Sequence, residues 1–236
     1  MNTPYDIAII GAGAVGSAIA RQLSQYDLSI VLLEAKSDVG MGTSKASTAI
    51  WHTGYDASPG SLESVLLKRS YTLLENFMRE VGSPFERIGG LLIAWNEEQL
   101  TTLPKLLEKA IENGDTDCYL IDRDEVYKRE PHLGPGALGG MFVPGEGILC
   151  TFTIPIALAT QAVVNGVTLK LNFQVNSISK KDDLHLVSSG DDIVQARWVI
   201  NAAGLFSDEI NAYFGLNNYT VSPRRGELII FDKLAR

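Results

Sequence analysis

The segment Gly11-Ala12-Gly13-Ala14-Val15-Gly16 constrains the fold of this chain more than any other feature. It fits the pattern G-x-G-x-x-G, follows an apolar stretch at 5–10 that predicts a strand, and opens a stretch at 14–25 that predicts a helix. In this context Gly11 permits a tight turn, Gly13 lets a diphosphate approach the backbone, and Gly16 allows close helix–strand packing. Together with a β-branched stretch at 28–34, the pattern predicts a βαβ unit whose helix start attracts a diphosphate.

Glu34 closes the second predicted strand, eighteen residues after Gly16. A carboxylate at this point can accept hydrogen bonds from both hydroxyls of an adenosine ribose, and it would repel a 2′-phosphate. The unit therefore predicts a bound dinucleotide other than NADP. FAD and NAD remain open alternatives because both contain ADP, and a plain strand–helix turn with a solvated glutamate is the alternative without a ligand.

Composition narrows the class of protein. The 236 residues are 45% apolar and 20% charged, which is typical of a globular chain with a packed core. The net charge of −8, with no basic cluster beyond Arg224 and Arg225, argues against a nucleic-acid partner. Cys118 and Cys150 have no C-x-x-C spacing, so we expect reduced thiols in a cytoplasmic protein and no metal site. We expect no transmembrane segment, because no apolar stretch reaches the length of a membrane span.

The order of hydrophobic patterns predicts further helices and strands after the βαβ unit. Ser61 is the expected N-cap of one helix and Thr153 of another, and Pro104 is expected to interrupt a third. The predicted helices are 62–81, 97–112, 122–130, 153–165 and 207–214, and the predicted strands are 87–95, 139–143, 167–179, 183–188, 193–201 and one beginning at 226–231.

Several segments resemble the D-amino-acid-oxidase-like superfamily of FAD-dependent flavoproteins, and within it the group of L-2-hydroxyglutarate oxidase and type-2 glycerol-3-phosphate dehydrogenase. The resemblance runs through nearly the whole chain in the family's order. It departs from this group at Ser47-Thr48-Ala49 and at Ser61-Leu62-Glu63-Ser64, which leaves the substrate open. The segments that carry it are Gly40-Met41-Gly42-Thr43-Ser44, Trp51 to Leu62, Arg87 to Ala94, Gly145 to Cys150, Val199 to Asp208 and Pro223 to Leu228.

The resemblance implies an α/β fold with two domains. A Rossmann-type FAD-binding domain with a parallel central sheet would comprise residues 1–80 and 151–219. A mixed, largely antiparallel substrate domain would comprise 81–150 and 220–236. Members of the family continue for well over a hundred residues beyond the last residue of this sequence. The resemblance therefore also implies a chain truncated at its C-terminus, with weaker FAD affinity than a full-length form.

The resemblance also implies which residues hold FAD. Thr43 and Ser44 would line its pyrophosphate and ribityl part, and the backbone of Val175 would meet the adenine. For Ala202 to Gly204, ordinary packing at the end of a strand is the alternative to FAD binding. The complete implied set is Gly11, Gly13, Ala14, Val15, Gly16, Glu34, Ala35, Gly42, Thr43, Ser44, Val175, Ala202, Ala203 and Gly204.

His52 and Arg225 are the candidate catalytic residues. The family places a histidine at the position of His52 beside the flavin, where it would orient or deprotonate a substrate hydroxyl. The adjacent Trp51 is similar to the Trp-His pair of dimethylglycine-dehydrogenase-like proteins, so covalent FAD attachment and a purely structural histidine are alternatives. Arg225 would form a bidentate pair with a carboxylate or phosphate, or lie on the surface.

The implied function is oxidation of a small anionic substrate, a 2-hydroxy acid such as 2-hydroxyglutarate or glycerol 3-phosphate, by hydride transfer to FAD. Oxygen, a quinone or a carrier protein would accept the electrons, and we expect a cytoplasmic location or peripheral membrane attachment. The alternatives are an FAD-dependent amine or amino-acid oxidase, a nicotinamide-dependent dehydrogenase and a truncated, non-catalytic dinucleotide-binding module.

Overall fold

The computed structural model describes residues 3–227. The chain divides into two compact units: Met1–Thr48 with Thr151–Arg236 form the first, and Ala49–Cys150 form the second. Residues 49–80, which the sequence prediction assigned to an FAD-binding domain, group with the second unit. The division into functional domains stays a prediction.

Residues 3–227 contain twelve strands and six α-helices. The strands are β1 (Tyr5–Ile10), β2 (Ile30–Leu33), β3 (Ile50–Trp51), β4 (Phe85–Glu86), β5 (Gly90–Ala94), β6 (Tyr119–Asp122), β7 (Gly139–Val143), β8 (Gly147–Leu149), β9 (Thr168–Lys170), β10 (Ser177–Lys181), β11 (Leu184–Ser189) and β12 (Asp192–Asn201). The α-helices are α1 (Ala14–Leu23), α2 (Leu62–Val81), α3 (Glu97–Glu112), α4 (Arg123–Arg129), α5 (Thr153–Val164) and α6 (Ser207–Ala212).

The first unit is built on a six-stranded sheet in the order β10-β11-β12-β1-β2-β9. Strands β12, β1, β2 and β9 are parallel, and the hairpin strands β10 and β11 continue the sheet antiparallel. All four residues of β2 are buried, as expected for a parallel strand covered on both faces. The predicted α/β fold with a parallel central sheet is confirmed, and the carboxyl ends of β1, β2 and β12 meet at one edge.

Two apolar clusters cover the faces of this sheet. On one face the buried Ile9 and Leu32 pack with small residues of α1 and α5, among them Ala20 and Ala162, which let the helices approach closely. The other face buries a cluster that contains Val31 and residues of strands β10, β11 and β12. Each fully buried aliphatic side chain contributes roughly 1.5–3 kcal/mol. This burial fixes the sheet edge at which the turns after β1 and β2 lie.

The second unit contains two antiparallel three-stranded sheets, in the orders β3-β8-β4 and β5-β7-β6. The apolar side of α3 packs on the latter through buried residues such as Leu103 and Ala110, together with Met141 of β7. The expected antiparallel character of this part of the chain is confirmed. The strands β3, β4, β6 and β8 are two to four residues long and were not predicted, because so few residues show no periodicity.

Three local predictions were wrong. Helix α3 continues through Pro104, because burial of Leu103 and Ala110 on either side offsets the hydrogen bond that proline cannot donate. The N-cap of α5 is Phe152 rather than Thr153. Phe152 has an αR backbone, and its side chain makes no capping hydrogen bond. The predicted strand at 167–179 is divided into β9 and β10, because Asn172 adopts φ +56° and turns the chain.

The remaining predicted strand, at 226–231, lies mostly outside the described residues; Gly226 and Glu227 are not in a strand. Between residues 3 and 227, none of the helices combines the length and the apolar character needed to cross a bilayer.

Candidate functional site

The turn after β1 depends on two glycines. Gly11 adopts φ +100°, and a Cβ there would lie 2.5 Å from the carbonyl oxygen of Ala202. A Cβ on Gly16 would lie 1.8 Å from the carbonyl oxygen of Gly11. No side chain fits either position without moving backbone, so the glycines set how closely α1 approaches the ends of β1 and β12.

The first turn of α1 presents its N–H groups among small side chains. Gly13 precedes the helix in an extended conformation and makes no side-chain cap, and the first turn contains no acidic residue. The Ser44 hydroxyl, on a 3₁₀ turn at Thr43–Ala46, accepts a hydrogen bond from the N–H of Ala14 at 2.9 Å. The side chain of Val15 is 65% exposed. This arrangement suits an anion at the positive end of the helix.

Glu34 follows β2 and turns its carboxylate toward the same turn. Its Oε2 accepts from the N–H of Ala12 at 2.8 Å, and its Oε1 accepts from the N–H of Lys36 at 2.9 Å. A carboxylate has about four acceptor sites, so acceptor capacity remains for two hydroxyl donors. The Glu34 carbonyl also accepts from the N–H of Phe173 at 2.8 Å, which holds the segment leading to Val175 beside it.

The turn after β12 lies against the glycine turn. The N–H of Ala202 donates to the carbonyl of Ile10 at 2.9 Å. The Asn201 side chain accepts from the N–H of Ala203 at 3.2 Å, and donates to the carbonyl of Ser207 at 2.7 Å and to the Asn211 side chain at 2.8 Å. Asn201 therefore fixes the turn that ends at Gly204, whose φ is +58°.

The second unit contains a separate polar cluster around His52. Strands β3 and β8 pair antiparallel with Trp51 opposite Gly147, so the next residue along β3 is opposite the residue before β8. This register brings His52 to Glu146. Trp51 is buried and stacked on Tyr71, with ring centroids 4.4 Å apart, which anchors the strand directly before His52.

The Glu146 carboxylate is buried and collects hydrogen bonds on one oxygen. Its Oε1 accepts from the N–H of Thr53 at 2.8 Å and from the Thr53 hydroxyl at 3.1 Å, and it lies 2.8 Å from Nδ1 of His52. Glu146 is 7% exposed. A buried carboxylate needs such donors because its desolvation is otherwise unfavourable.

The other ring nitrogen of His52 faces a more exposed carboxylate. Nε2 lies 3.0 Å from Oδ1 of Asp56, and the two side chains are 32% and 52% exposed. The backbone around Asp56 is held by Asn113, whose amide donates to the carbonyls of Gly54, Tyr55 and Ala57 at 3.1, 3.2 and 2.7 Å. Lys109 donates to the carbonyl of Asp56 itself.

The two carboxylates favour the imidazolium form. The hydrogen bond that His52 donates to Glu146, with Coulombic attraction from Glu146 and Asp56, raises the pKa of His52 to about 9 against the opposing effect of burial. Burial and the charge of Asp56 raise the pKa of Tyr55 to about 12, and burial also raises the pKa of the Asp115 carboxyl. A proton is therefore held at His52 at neutral pH.

A family model described as FAD dependent oxidoreductase (DAO) matches residues 6–236. The chain belongs to this family. It is 38% identical over 229 residues to the glycerol 3-phosphate dehydrogenase of Caloramator mitchellensis, covering 97% of this chain and 48% of that protein. It is 26% identical to the mitochondrial L-2-hydroxyglutarate dehydrogenase of Homo sapiens, covering 96% and 52% of the two chains.

A solved structure of L-alpha-glycerophosphate oxidase from Mycoplasma pneumoniae with FAD bound is similar in fold. The TM-score is 0.84 at 28% identity, and the match covers 90% of this chain and 57% of that one. The chain thus spans about half the length of the curated relatives it matches.

The residues of the first unit fit the family's cofactor. A diphosphate requires free space and N–H donors at a helix start, and a Cβ on Gly13 would already lie 3.1 Å from the Ser44 oxygen. A ribose requires an acceptor beside that helix start, and Glu34 lies there. Gly11, Gly13 and Ser44 would hold the diphosphate and Glu34 the ribose.

The structure brings only part of the predicted site together. Gly11, Gly13, Ala14, Gly16, Ser44, Glu34 and Ala202 are joined through the contacts given above. Ala35, Gly42 and Thr43 are exposed; Ala35 follows Glu34, and Gly42 and Thr43 precede Ser44. Arg225 is in the first unit, with its guanidinium 3.6 Å from Glu227 and 88% exposed, whereas His52 is in the second. The roles of all these residues stay predictions.

The sequence prediction did not assign a role to Glu146, Thr53, Asp56 or Asn113. Glu146 lies in the Gly145 to Cys150 segment that carries part of the resemblance. The resemblance therefore pointed to this segment but did not indicate that Glu146 contacts His52. His52 and Glu146 are separated by 94 positions, and only the pairing of two very short strands shows that they meet.

Proposed function

We propose that the chain contributes to FAD-dependent oxidation of a small anionic substrate that carries a hydroxyl group, with glycerol 3-phosphate as the first candidate. The observation that carries the proposal is the convergence of Ser44 and Glu34 on the glycine turn at the start of α1. The names of two relatives refer to glycerol 3-phosphate and L-2-hydroxyglutarate, both of which are hydroxyl-bearing anions.

In this proposal the first unit binds and orients the cofactor. Backbone N–H groups at the start of α1 neutralise the diphosphate, and the Glu34 carboxylate accepts hydrogen bonds from the ribose. When bound, FAD supplies an acceptor for the hydride removed from the substrate carbon. The chain itself supplies position and electrostatics.

His52 is the proposed base. The neutral ring, with its proton kept on Nδ1 by Glu146, would accept the proton of the substrate hydroxyl at Nε2. Because the pKa of His52 is raised to about 9, most of the ring is protonated at pH 7. The rate of substrate oxidation should therefore rise with pH up to about 9.

The test is a visible spectrum of the purified 236-residue chain reconstituted with FAD, followed by anaerobic addition of glycerol 3-phosphate, L-2-hydroxyglutarate, glycerol or amino acids. We expect bound flavin that loses its visible absorbance, as reduction requires, when the phosphorylated or carboxylated alcohol is added, and that keeps it when glycerol is added. The Glu34→Ala variant should bind flavin more weakly, whereas Glu112→Ala, an exposed change in the second unit, should not. Flavin that binds but is bleached only by amino acids would overturn the substrate class.

A further inference from the structure

The two carboxylates on His52 differ in how firmly they are held. The Glu146 side chain is 9% exposed, and its Oε1 is also bound by the N–H and hydroxyl groups of Thr53. The Asp56 side chain is 52% exposed, and its Oδ1 lies 3.0 Å from Nε2 of His52. One partner is thus part of the packed interior and the other faces solvent.

This asymmetry has a chemical meaning for the imidazole ring. A histidine with one nitrogen bound to a fixed carboxylate keeps its proton there, so the other nitrogen becomes the end that exchanges protons. The fixed carboxylate also stabilises the imidazolium that forms when that end accepts a proton. Nδ1 of His52 is the fixed end, and Nε2 is the end that faces the exposed carboxylate.

We propose that Glu146 is the positioning residue for His52: it holds the ring with Nδ1 protonated, while Asp56 is an exchangeable partner that gives up Nε2 to the substrate. The proposal rests on the proposed function for the identity of the substrate, and on the geometry alone for the orientation of the ring.

The register of the sheet supports this assignment. Glu146 is the residue directly before β8, and a Cβ on the next residue, Gly147, would lie 2.6 Å from the Glu86 carbonyl and 3.0 Å from the Trp51 ring. The glycine therefore lets β8 lie close to its neighbours, which fixes the backbone from which Glu146 extends. The Gly89 N–H donates to the Glu146 carbonyl at 2.9 Å and holds it from the other side.

Other titratable groups lie around the ring. Asp115 contributes a Coulombic interaction with His52, Tyr55 packs edge-on with ring centroids 5.5 Å apart, and Lys109 is bound to the backbone of Asp56. The titratable groups that surround His52 in the second unit are Tyr55, Asp56, Lys109, Asp115 and Glu146. Only Glu146 is bonded to Nδ1 among the described residues.

Nitrogen-15 NMR of the full chain, without cofactor or substrate, tests the orientation directly. The chain has three histidines, and the His52→Asn variant identifies the His52 signals. We expect His52 to titrate at about 9, and we expect its neutral form to carry the proton on Nδ1, the nitrogen that contacts Glu146. Titration of His52 near the ordinary histidine value of about 6.5, or a neutral form protonated on Nε2, would overturn the proposal.

Matched variants separate the two carboxylates. Glu146→Gln should lower the pKa of His52 by about one unit or more and abolish the preference for Nδ1. Asp56→Asn should lower the pKa less and keep the proton on Nδ1, and Glu112→Gln should change neither. If Glu146→Gln does not fold, the wild-type and Asp56→Asn spectra still decide, because loss of the Nδ1 preference in Asp56→Asn contradicts the assignment.

Kinetics with reconstituted FAD then links the orientation to turnover. Glu146→Gln should reduce kcat on the order of tenfold to a hundredfold with little change in KM, and should move the rising part of the pH profile to lower pH. An unchanged pH profile in a folded variant would overturn the positioning role. A chain that shows the expected NMR titration but never reduces flavin would refute the proposed function and leave the orientation of His52 intact.

Discussion

The cofactor region of the first unit depends mainly on backbone groups, whereas the His52 cluster of the second unit depends on charged side chains. At the turn after β1 the decisive groups are backbone N–H groups and the absence of side chains at Gly11 and Gly16. Around His52 the decisive groups are charged side chains, two carboxylates on one imidazole. A site built from backbone fails through steric clash, whereas a site built from charges fails through changes in protonation.

The largest effect expected from this contrast is that of Gly16→Ala. Its Cβ would lie 1.8 Å from the Gly11 carbonyl oxygen, so α1 or β1 has to move. We expect a loss of about 3 kcal/mol or more in the free energy of unfolding, and loss of FAD binding. Denaturant unfolding and FAD titration measure both.

The control for this variant is Gly134→Ala in the second unit, where a Cβ would meet no atom within 4 Å. It should change stability by less than about 0.5 kcal/mol. Equal stability of the two variants would show that the clash at Gly16 is relieved without cost, and the backbone-built description of the first unit would then be wrong.

Glu34→Ala tests the carboxylate that contacts the glycine turn of the cofactor region. It removes the acceptor of the Ala12 N–H and the proposed partner of the ribose. We expect FAD affinity to fall by about 1.5–3 kcal/mol, roughly tenfold to a hundredfold. Isothermal titration against Glu112→Ala measures the difference; an affinity equal to that of the control would leave the backbone as the sole determinant of binding.

Asn113→Ala tests whether the His52 cluster depends on its supporting loop. The amide of Asn113 donates to three carbonyls of residues 54–57, and the variant leaves these acceptors without that donor. We expect a loss of about 1–2 kcal/mol in unfolding free energy. Exposed Asn217→Ala is the control, and thermal unfolding of both variants at one pH gives the comparison.

The smallest effect is the pH dependence of stability caused by His52. Its pKa in the folded chain is raised to about 9, so its contribution is fully present below about pH 6.5 and is lost as pH rises through about 9. Solvent screening of this partly exposed side chain limits the effect to on the order of 1 kcal/mol. The free energy of unfolding should fall more for the wild type than for His52→Asn between these pH values. Parallel curves of free energy against pH would contradict the pairing of His52 with the two carboxylates.

Sequence reasoning reached the first region because its information is contiguous. The strand, the three glycines and the helix all lie within residues 5–23, and Glu34 follows directly after the next strand. The α/β fold and the parallel sheet follow from the same βαβ unit, and both were confirmed. The errors at Pro104 and Asn172 arose where tertiary packing or a left-handed residue overrode the local pattern.

The second region could be predicted only in part. His52 was identified through a resemblance, but the partner that sets its proton affinity lies on another turn, and nothing in the pattern around Glu146 identifies it as buried. The pairing depends on β3 and β8, which have two and three residues. Strands of that length are invisible to periodicity, so the register that joins the two side chains had to come from the structure.

The Glu34 carboxylate has a consequence for the thermodynamics of ligand capture. Both of its oxygens are already oriented by the N–H groups of Ala12 and Lys36, so the rotamer freedom of this long side chain is lost during folding rather than on association. Immobilising such a side chain typically costs about 0.5–1.5 kcal/mol at the moment of binding. A nucleotide that binds beside Glu34 would meet a preorganised acceptor, and the entropy change measured by calorimetry should be correspondingly less unfavourable.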